Sequence, residues 1–283
     1  MTCHRFSALA CPLDGEPLLL EGSSWRCSQG HSFDVARQGH VHLLPVQNKR
    51  SLQPGDSKEM VAARRHFLST CLYQPIADAV NRAVLASKGD RQDTLSCLDA
   101  GCGEGYYLLS LGQAAADREL SMVGLDISKW AVLAAAKIMK DAQWVVGTNA
   151  RLPILPESLD RVLCLFGFPV YEEFHRVIKT GGRLIQVDAG PNHLRELREI
   201  VYPTLKPARE PDQSVPEGFA LESDDPLSFD ITLDSQPLIQ DLLAMTPHLY
   251  RASVEGRERA QTLESLAVTV DIRLRVFERI ATG

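Results

Sequence analysis

The sequence predicts an α/β protein: a mostly parallel, doubly wound sheet with an antiparallel edge region, preceded by a small strand-rich module. Three observations predict it. From 95 to about 201, short apolar runs alternate with helical patterns, and such alternation makes a parallel sheet covered on both faces. Within that stretch, Leu98-Asp99-Ala100-Gly101-Cys102-Gly103-Glu104-Gly105-Tyr106-Tyr107 reads as a buried strand ending on an acid, a glycine-rich turn and a helix start. Residues 1–47, by contrast, are rich in Cys, His, Gly and Pro and show little helical period, a composition suited to short strands around a staple.

Three regions follow from these patterns: a ribbon-like module over 1–47, a helical linker over 48–90 and the sheet domain over 91–283. Residues 48–57 are polar and contain Pro54-Gly55, so they form a loop. Asp56 or Ser57 can cap a first helix whose Met60, Ala63, Phe67 and Leu68 recur at helical spacing. A second helix starts near Pro75 and carries Ile76, Val80, Val84 and Leu85. The sheet domain then reads as strand 95–99, helix 106–116, strand 121–126, helix 129–140 and strand 143–147. Strand 160–165, helix 171–178, strand 183–188 and helix 192–201 follow. Residues 203–217 hold four prolines and read as an irregular crossover. Near the end, Val268, Val270, Ile272, Leu274 and Val276 alternate with polar residues, which gives a strand with one wet face in the antiparallel edge region.

At 283 residues, with 45% hydrophobic and 23% charged residues, the chain is long enough for one large domain and a small module. No apolar run approaches the ~18 residues of a membrane span, and polar residues with Pro12 interrupt the start. A cytoplasmic protein without a membrane partner is expected. Seven scattered cysteines, an odd number, do not form a secreted disulfide framework. The net charge of −6 argues against nucleic acid, yet residues 1–75 hold eight Lys+Arg against six Asp+Glu, so the front is mildly basic. Cys11, Asp14, Cys27 and His31 give the ligand order C-x2-D, C-x3-H, the shape of a Cys₃His zinc ribbon with a carboxylate in one thiolate's place. An apo ribbon held by its own small core is the competing reading.

Glycine lets a backbone turn tightly and lets a ligand approach closely. Asp126 ends a second apolar strand twenty-one residues beyond Gly105, where an acid meets a ribose edge in doubly wound folds. The G-x-G-x-G spacing with an acid just before it resembles motif I of the S-adenosylmethionine-dependent methyltransferases. That resemblance implies a Rossmann-like class I methyltransferase domain. In it, backbone N–H groups of Gly101, Gly103 and Gly105 face the cofactor's methionine end, beside Tyr106, and Asp99 receives its ammonium. Asp126 accepts both ribose hydroxyls. Thr148 and Asn149, after the third strand, hold the adenine amine, and Leu152 packs on its ring.

The flanking segments are more specific. Cys11-Pro12-Leu13, Cys27…His31-Ser32-Phe33-Asp34, Gly39…Leu43-Leu44-Pro45-Val46-Gln47, Pro54-Gly55-Asp56-Ser57…Met60…Ala63-Arg64-Arg65…Phe67-Leu68 and Tyr73-Gln74-Pro75 resemble the RlmA-type 23S ribosomal RNA guanine-N(1)-methyltransferases. Gly190-Pro191-Asn192-His193-Leu194…Glu196-Leu197 and Met245-Thr246-Pro247 continue the likeness. The resemblance implies zinc at the front, large-subunit ribosomal RNA as partner, room for a homodimer, and Tyr73 and His193 closing over the cofactor. Three departures stand out: Asp14 in a cysteine's place, Thr180 for a proline, and Leu165-Phe166-Gly167-Phe168-Pro169 for a more polar loop.

Asp188, ending the fifth strand, is the carboxylate offered as base for the guanine N(1) proton. Phe166, Phe168 and Pro169 sit where a flipped base could stack. Lys49, Arg50, Arg64 and Arg65, with Arg26, Arg37, His40 and His42, are candidate phosphate contacts. Two other readings stay open: a small-molecule methyltransferase of the same fold, and a non-catalytic cofactor-binding scaffold.

Overall fold

Strand order fixes where a ligand can bind. The computed structural model describes residues 4–45, 47, 54–86, 94–116, 118–205 and 214–281. Three short strands at the front, β1 (Leu19–Glu21), β2 (Ser24–Arg26) and β3 (Ser32–Asp34), form an antiparallel sheet. A fourth, β4 (His40–His42), leaves that sheet and pairs in parallel with β7 (Gln143–Val146). The large sheet contains β5 (Leu95–Ala100), β6 (Leu120–Asp126), β8 (Leu159–Leu165), β9 (Ile178–Ala189), β10 (Phe219–Leu233) and β11 (Leu266–Arg279) besides β4 and β7. Its order is β10-β11-β9-β8-β5-β6-β7-β4, with antiparallel pairing confined to β10-β11 and β11-β9. Strand order reverses at β5, between β6 and β8. Ligands of doubly wound sheets bind at the carboxyl end of such a strand.

Local sequence explains the helices that frame this point. Helix α1 (Lys58–Ser69) begins where the Ser57 hydroxyl accepts the Met60 N–H at 3.3 Å. Helix α2 (Gln74–Leu85) carries Pro75 in its first turn, where a missing N–H costs nothing. Its last carbonyls are taken by guanidinium groups: Arg161 bonds Val84 O and Ala86 O, Arg118 bonds Leu85 O, and Arg183 bonds Ala86 O. Helices α3 (Tyr106–Ala114), α4 (Lys129–Ile138), α5 (Tyr171–Val177) and α6 (Arg195–Val201) occupy the crossovers.

The two faces of the sheet are covered differently. One face packs side chains of α1, α2, α3, α4 and α6 in a single buried cluster. The other buries Leu98, Val123, Val145 and Val162 against α5 and against Phe6, Leu9, Leu18 and Trp25 of the front module. Among the described residues, no helix lies in the β7–β8 crossover, where Leu152 and Ile154 enter that second cluster. Backbone bonds knit the contact: Ala10 N–H to Pro153 O at 3.0 Å and Leu155 N–H to Ala8 O at 3.0 Å. The front module thus stands where a crossover helix would, and its strand β4 closes the edge of the sheet.

The expected strands and helices are present, most of them within two residues of the expected bounds. The late helix expected over 192–201 begins at Arg195 because residues 191–194 form turns. The region after 217 departs most. Periodicity does not show β10, fifteen residues long, because Asp224-Asp225-Pro226 interrupts its apolar alternation. Proline is tolerated there because β10 is an edge strand. Helices α7 (Gln236–Ala244), α8 (His248–Arg251) and α9 (Val254–Gln261) follow. Among the described residues, no helix is long and apolar enough to cross a membrane.

Candidate functional site

The glycine turn leaves β5 at the switch point. Gly101 has φ +102°, a conformation that disfavours a side chain, and a Cβ built there would have open space around it. The loop therefore offers a cradle. The N–H groups of its three glycines have partners within the protein. Gly101 N–H donates to Leu125 O at 2.8 Å, Gly103 N–H to Asp126 Oδ2 at 3.0 Å, and Gly105 N–H to Cys102 O at 3.0 Å. The loop is thus a shaped wall tied to β6.

Acids supply it. Asp99 is 1% exposed, and both its carboxyl oxygens are buried with no hydrogen-bond partner. Burial, with Asp126 and Glu104 nearby, pushes its pKa up to about 8. Glu104, also buried, has an unpartnered Oε2 and a raised pKa, again chiefly from burial. Asp126 accepts Gly103 N–H through Oδ2 and Ser128 N–H through Oδ1 at 2.7 Å. A carboxylate has about four acceptor positions, so capacity remains for two ribose hydroxyls. The Arg64 side chain lies against Gly103, pairs with Asp56 and donates to Met245 O at 3.2 Å. Arg64 is therefore committed inside the protein, which corrects its expected place on a phosphate. Lys49 and Arg50 lie outside the described residues, and Arg26 pairs with Glu21 at 3.5 Å.

After β7, Asn149 donates Nδ2–H to Ala100 O at 3.4 Å while its Oδ1 is buried without a partner. That orphan acceptor suits an adenine amine. The Thr148 hydroxyl accepts Ala150 N–H at 3.2 Å, so it shapes the turn. Leu152, 2% exposed, enters the second buried cluster just after Asn149. The Tyr106 hydroxyl donates to Gln74 Oε1 at 3.3 Å and ties α3 to α2.

Tyr73 and His193, far apart in sequence, meet with ring centroids 6.4 Å apart. Phe166 completes the group at 6.5 Å from Tyr73 and 5.7 Å from His193. Phe166 has φ +54°, a costly conformation for a bulky residue. Such strain is held where the surroundings over-determine it, as they are here at the carboxyl end of β8. Phe168, two residues on, is 90% exposed. Asp188 follows Val187, whose carbonyl accepts Phe166 N–H at 2.8 Å, and its Oδ2 accepts Arg275 Nη2 at 2.9 Å and Gln186 Nε2 at 2.8 Å. Sequence reasoning missed the acid Glu104 inside the glycine loop and the Arg64–Asp56 pair, although both lie within quoted motifs.

At the front, Cys11, Asp14, Cys27 and His31 present one ligand atom each, all within 4.8 Å of one another. His31 Nδ1 lies 3.5 Å from Cys11 Sγ and 3.4 Å from Cys27 Sγ. Ligands on a tetrahedral zinc, at about 2.3 Å for sulfur and about 2.05 Å for nitrogen, stand roughly 3.5 Å apart. The spacing fits zinc. Burial opposes the charged form of Asp14, but Glu16 N–H, Cys11, Cys27 and His31 outweigh it and hold its pKa well below the carboxylate range. Burial pushes the Cys11 thiol up to about 11, so metal binding there must release a proton.

Comparison with known proteins matches both parts of the chain. A zinc-ribbon family model described as RlmA, N-terminal, matches residues 9–52, and a methyltransferase-domain model matches 97–182. YxjB of Bacillus subtilis, provisionally named a 23S rRNA (guanine-N(1)-)-methyltransferase, is 32% identical over 275 residues, 94% of this chain and 95% of its own. The chain belongs to the 23S rRNA (guanine-N(1)-)-methyltransferase family. The 23S rRNA (guanine(748)-N(1))-methyltransferase of Streptomyces fradiae is 33% identical over 191 residues, 67% of this chain and 66% of its own. A Micromonospora griseorubida protein with the same provisional name as YxjB is 35% identical over 207 residues, 67% of this chain and 68% of its own. The protein is an S-adenosylmethionine-dependent methyltransferase with a class I fold and a zinc-ribbon front. Asp99, Glu104 and Asp126 stand as a group of buried or half-buried acids at its glycine turn.

Proposed function

We propose that the protein methylates N(1) of a guanine in 23S ribosomal RNA, with the cofactor held across the carboxyl ends of β5, β6 and β7. The cofactor supplies a methyl group already activated by its sulfonium. Asp99 would take the ammonium, Asp126 the ribose hydroxyls and Asn149 Oδ1 the adenine amine. Tyr73, Phe166 and His193 would close the pocket. Work in the cytoplasm goes with that substrate.

The observation that carries the reading is Asp99, a carboxyl sealed at 1% exposure with both oxygens unpartnered beside the open face of Gly101. Burying such a group without a partner costs several kcal/mol, and a cationic ligand supplies the missing partner. Guanine N(1) as acceptor is supported by the names of the near-full-length relatives and by the ribbon that accompanies the pocket. Alignment of the reacting atoms can lower the barrier by roughly 7–11 kcal/mol. Phe168, with its ring 90% exposed, would offer an extruded base a face to stack on.

Purified protein, labelled cofactor and ribosomal RNA from a strain lacking the gene test this reading. Label should enter 23S RNA as 1-methylguanosine at one site, and RNA from the parent strain should take up none. Equal labelling of both RNAs, or labelling of small metabolites alone, would refute it.

A further inference from the structure

His193 has a property that pocket closure does not require: its protonation state is dictated by the backbone. The Asp271 backbone N–H points at His193 Nδ1, 3.3 Å away. An amide N–H can only donate, so Nδ1 must accept and cannot carry a proton. A neutral imidazole with a bare Nδ1 bears its proton on Nε2. Burial, the leading cause, pushes the His193 pKa down to about 4, so the ring stays neutral at physiological pH.

The turn carrying this ring is moulded on the same residue of β11. Asn192 N–H donates to Asp271 Oδ2 at 2.9 Å, and Gly190 N–H to Asp271 O at 2.8 Å. A Cβ at position 190 would sit 2.5 Å from the Asp271 carboxyl, so only glycine permits the approach. Three bonds to one residue therefore fix both the place and the tautomer of His193. Its ring is partly exposed and packs beside Phe166 and Tyr73, and among the described residues Nε2 has no protein partner. The edge bearing Nε2 is turned away from β11.

We infer that His193 is a catalytic hydrogen-bond donor whose Nε2–H meets O6 of the target guanine as negative charge builds there. The inference rests on the guanine-N(1) reading above. When N(1) gives up its proton to solvent water, the charge spreads to O6. N(1) then forms the new N–C bond, the S–C bond breaks, and its electron pair stays on sulfur, leaving a neutral thioether. A neutral donor serves this step, because it stabilises the charge on O6 without returning a proton to the anion that must attack the methyl group. Asp271 acts through His193 as a positioning residue.

The tautomer is read from two-bond ¹H–¹⁵N spectra of labelled protein at pH 7, which need no RNA. The Nε2–H form is expected, and a proton on Nδ1, or on both nitrogens, overturns the inference. Kinetics supply the second readout, with His193→Phe keeping the ring's bulk and His193→Gln restoring a donor. Loss of one such donor lowers kcat by about 10²-fold or more. His193→Phe should show that fall in kcat at saturating S-adenosylmethionine, and His193→Gln should recover much of it. An unchanged kcat in His193→Phe overturns the donor role alone, as does a loss confined to cofactor affinity. Wild-type protein that leaves ribosomal RNA unmodified overturns the guanine reading, and this inference with it.

Discussion

Binding of the cofactor should expel a proton from Asp99. In the free protein its carboxyl has a pKa of about 8, because burial and the neighbouring Asp126 and Glu104 disfavour its charge. At pH 7 such a group is about 90% protonated. An ammonium arriving against both oxygens returns the pKa toward the ordinary carboxylate range, so about 0.9 proton leaves on binding. The release falls to about half a proton at pH 8 and fades above it. Affinity should therefore rise by up to about tenfold, or about 1.4 kcal/mol, for each pH unit climbed toward 8. The same proton acts on folding. The Asp99 pKa is raised above its unfolded value near 3.8, so its contribution favours the fold at low pH and is lost as pH rises toward 8. Calorimetry in phosphate and Tris, whose ionisation heats differ, counts the protons directly. Asp99→Asn has nothing to release, and its difference from wild type isolates Asp99 from the cofactor's own amine. Equal proton counts in the two proteins would refute the reasoning.

Asp126→Ala removes two acceptors for the ribose, at roughly 1.5–3 kcal/mol each for bonds to a charged group, so calorimetric affinity for the cofactor should fall about 10²- to 10⁴-fold. It also strands Gly103 N–H and Ser128 N–H, so the thermal midpoint of the free protein should drop by several degrees. Elemental analysis should find one zinc per chain in wild type and less than one in Asp14→Ala, and Asp14→Cys should hold zinc more tightly against a chelator. Phe168→Ala should leave the thermal midpoint nearly unchanged, since the ring is 90% exposed. Its kcat/KM on RNA should fall in line with a lost base stack of about 1–3 kcal/mol.

Much of this was legible before any coordinates because the informative residues act locally. The run from Leu98 to Tyr107 specifies a strand, a turn and a helix within ten residues, and the structure holds all three. The Cys11, Asp14, Cys27 and His31 cluster was readable as spacing and closes as a constellation. What stayed hidden depends on long-range partners. Asp188 looks like a free strand-end acid until Arg275, 87 residues later, is placed beside it. Arg64 looks like a solvated helix cation until Asp56 and the Met245 carbonyl claim it. The strand β10 is masked by its wet face and its proline, and only pairing along the whole of β11 makes it regular.

Strand β4 has a mechanical consequence. His40 stands in register with Trp144, and the Trp144 ring reaches so near Gly105 that an added Cβ there would lie 2.7 Å from it. Disturbance of the metal cluster therefore has a short solid route to the base of α3. The front of the chain is not a detachable reading head. Any chimaera built to redirect target choice would have to exchange the ribbon, its trailing strand and the facing tryptophan as one unit, or the catalytic loop would lose its footing.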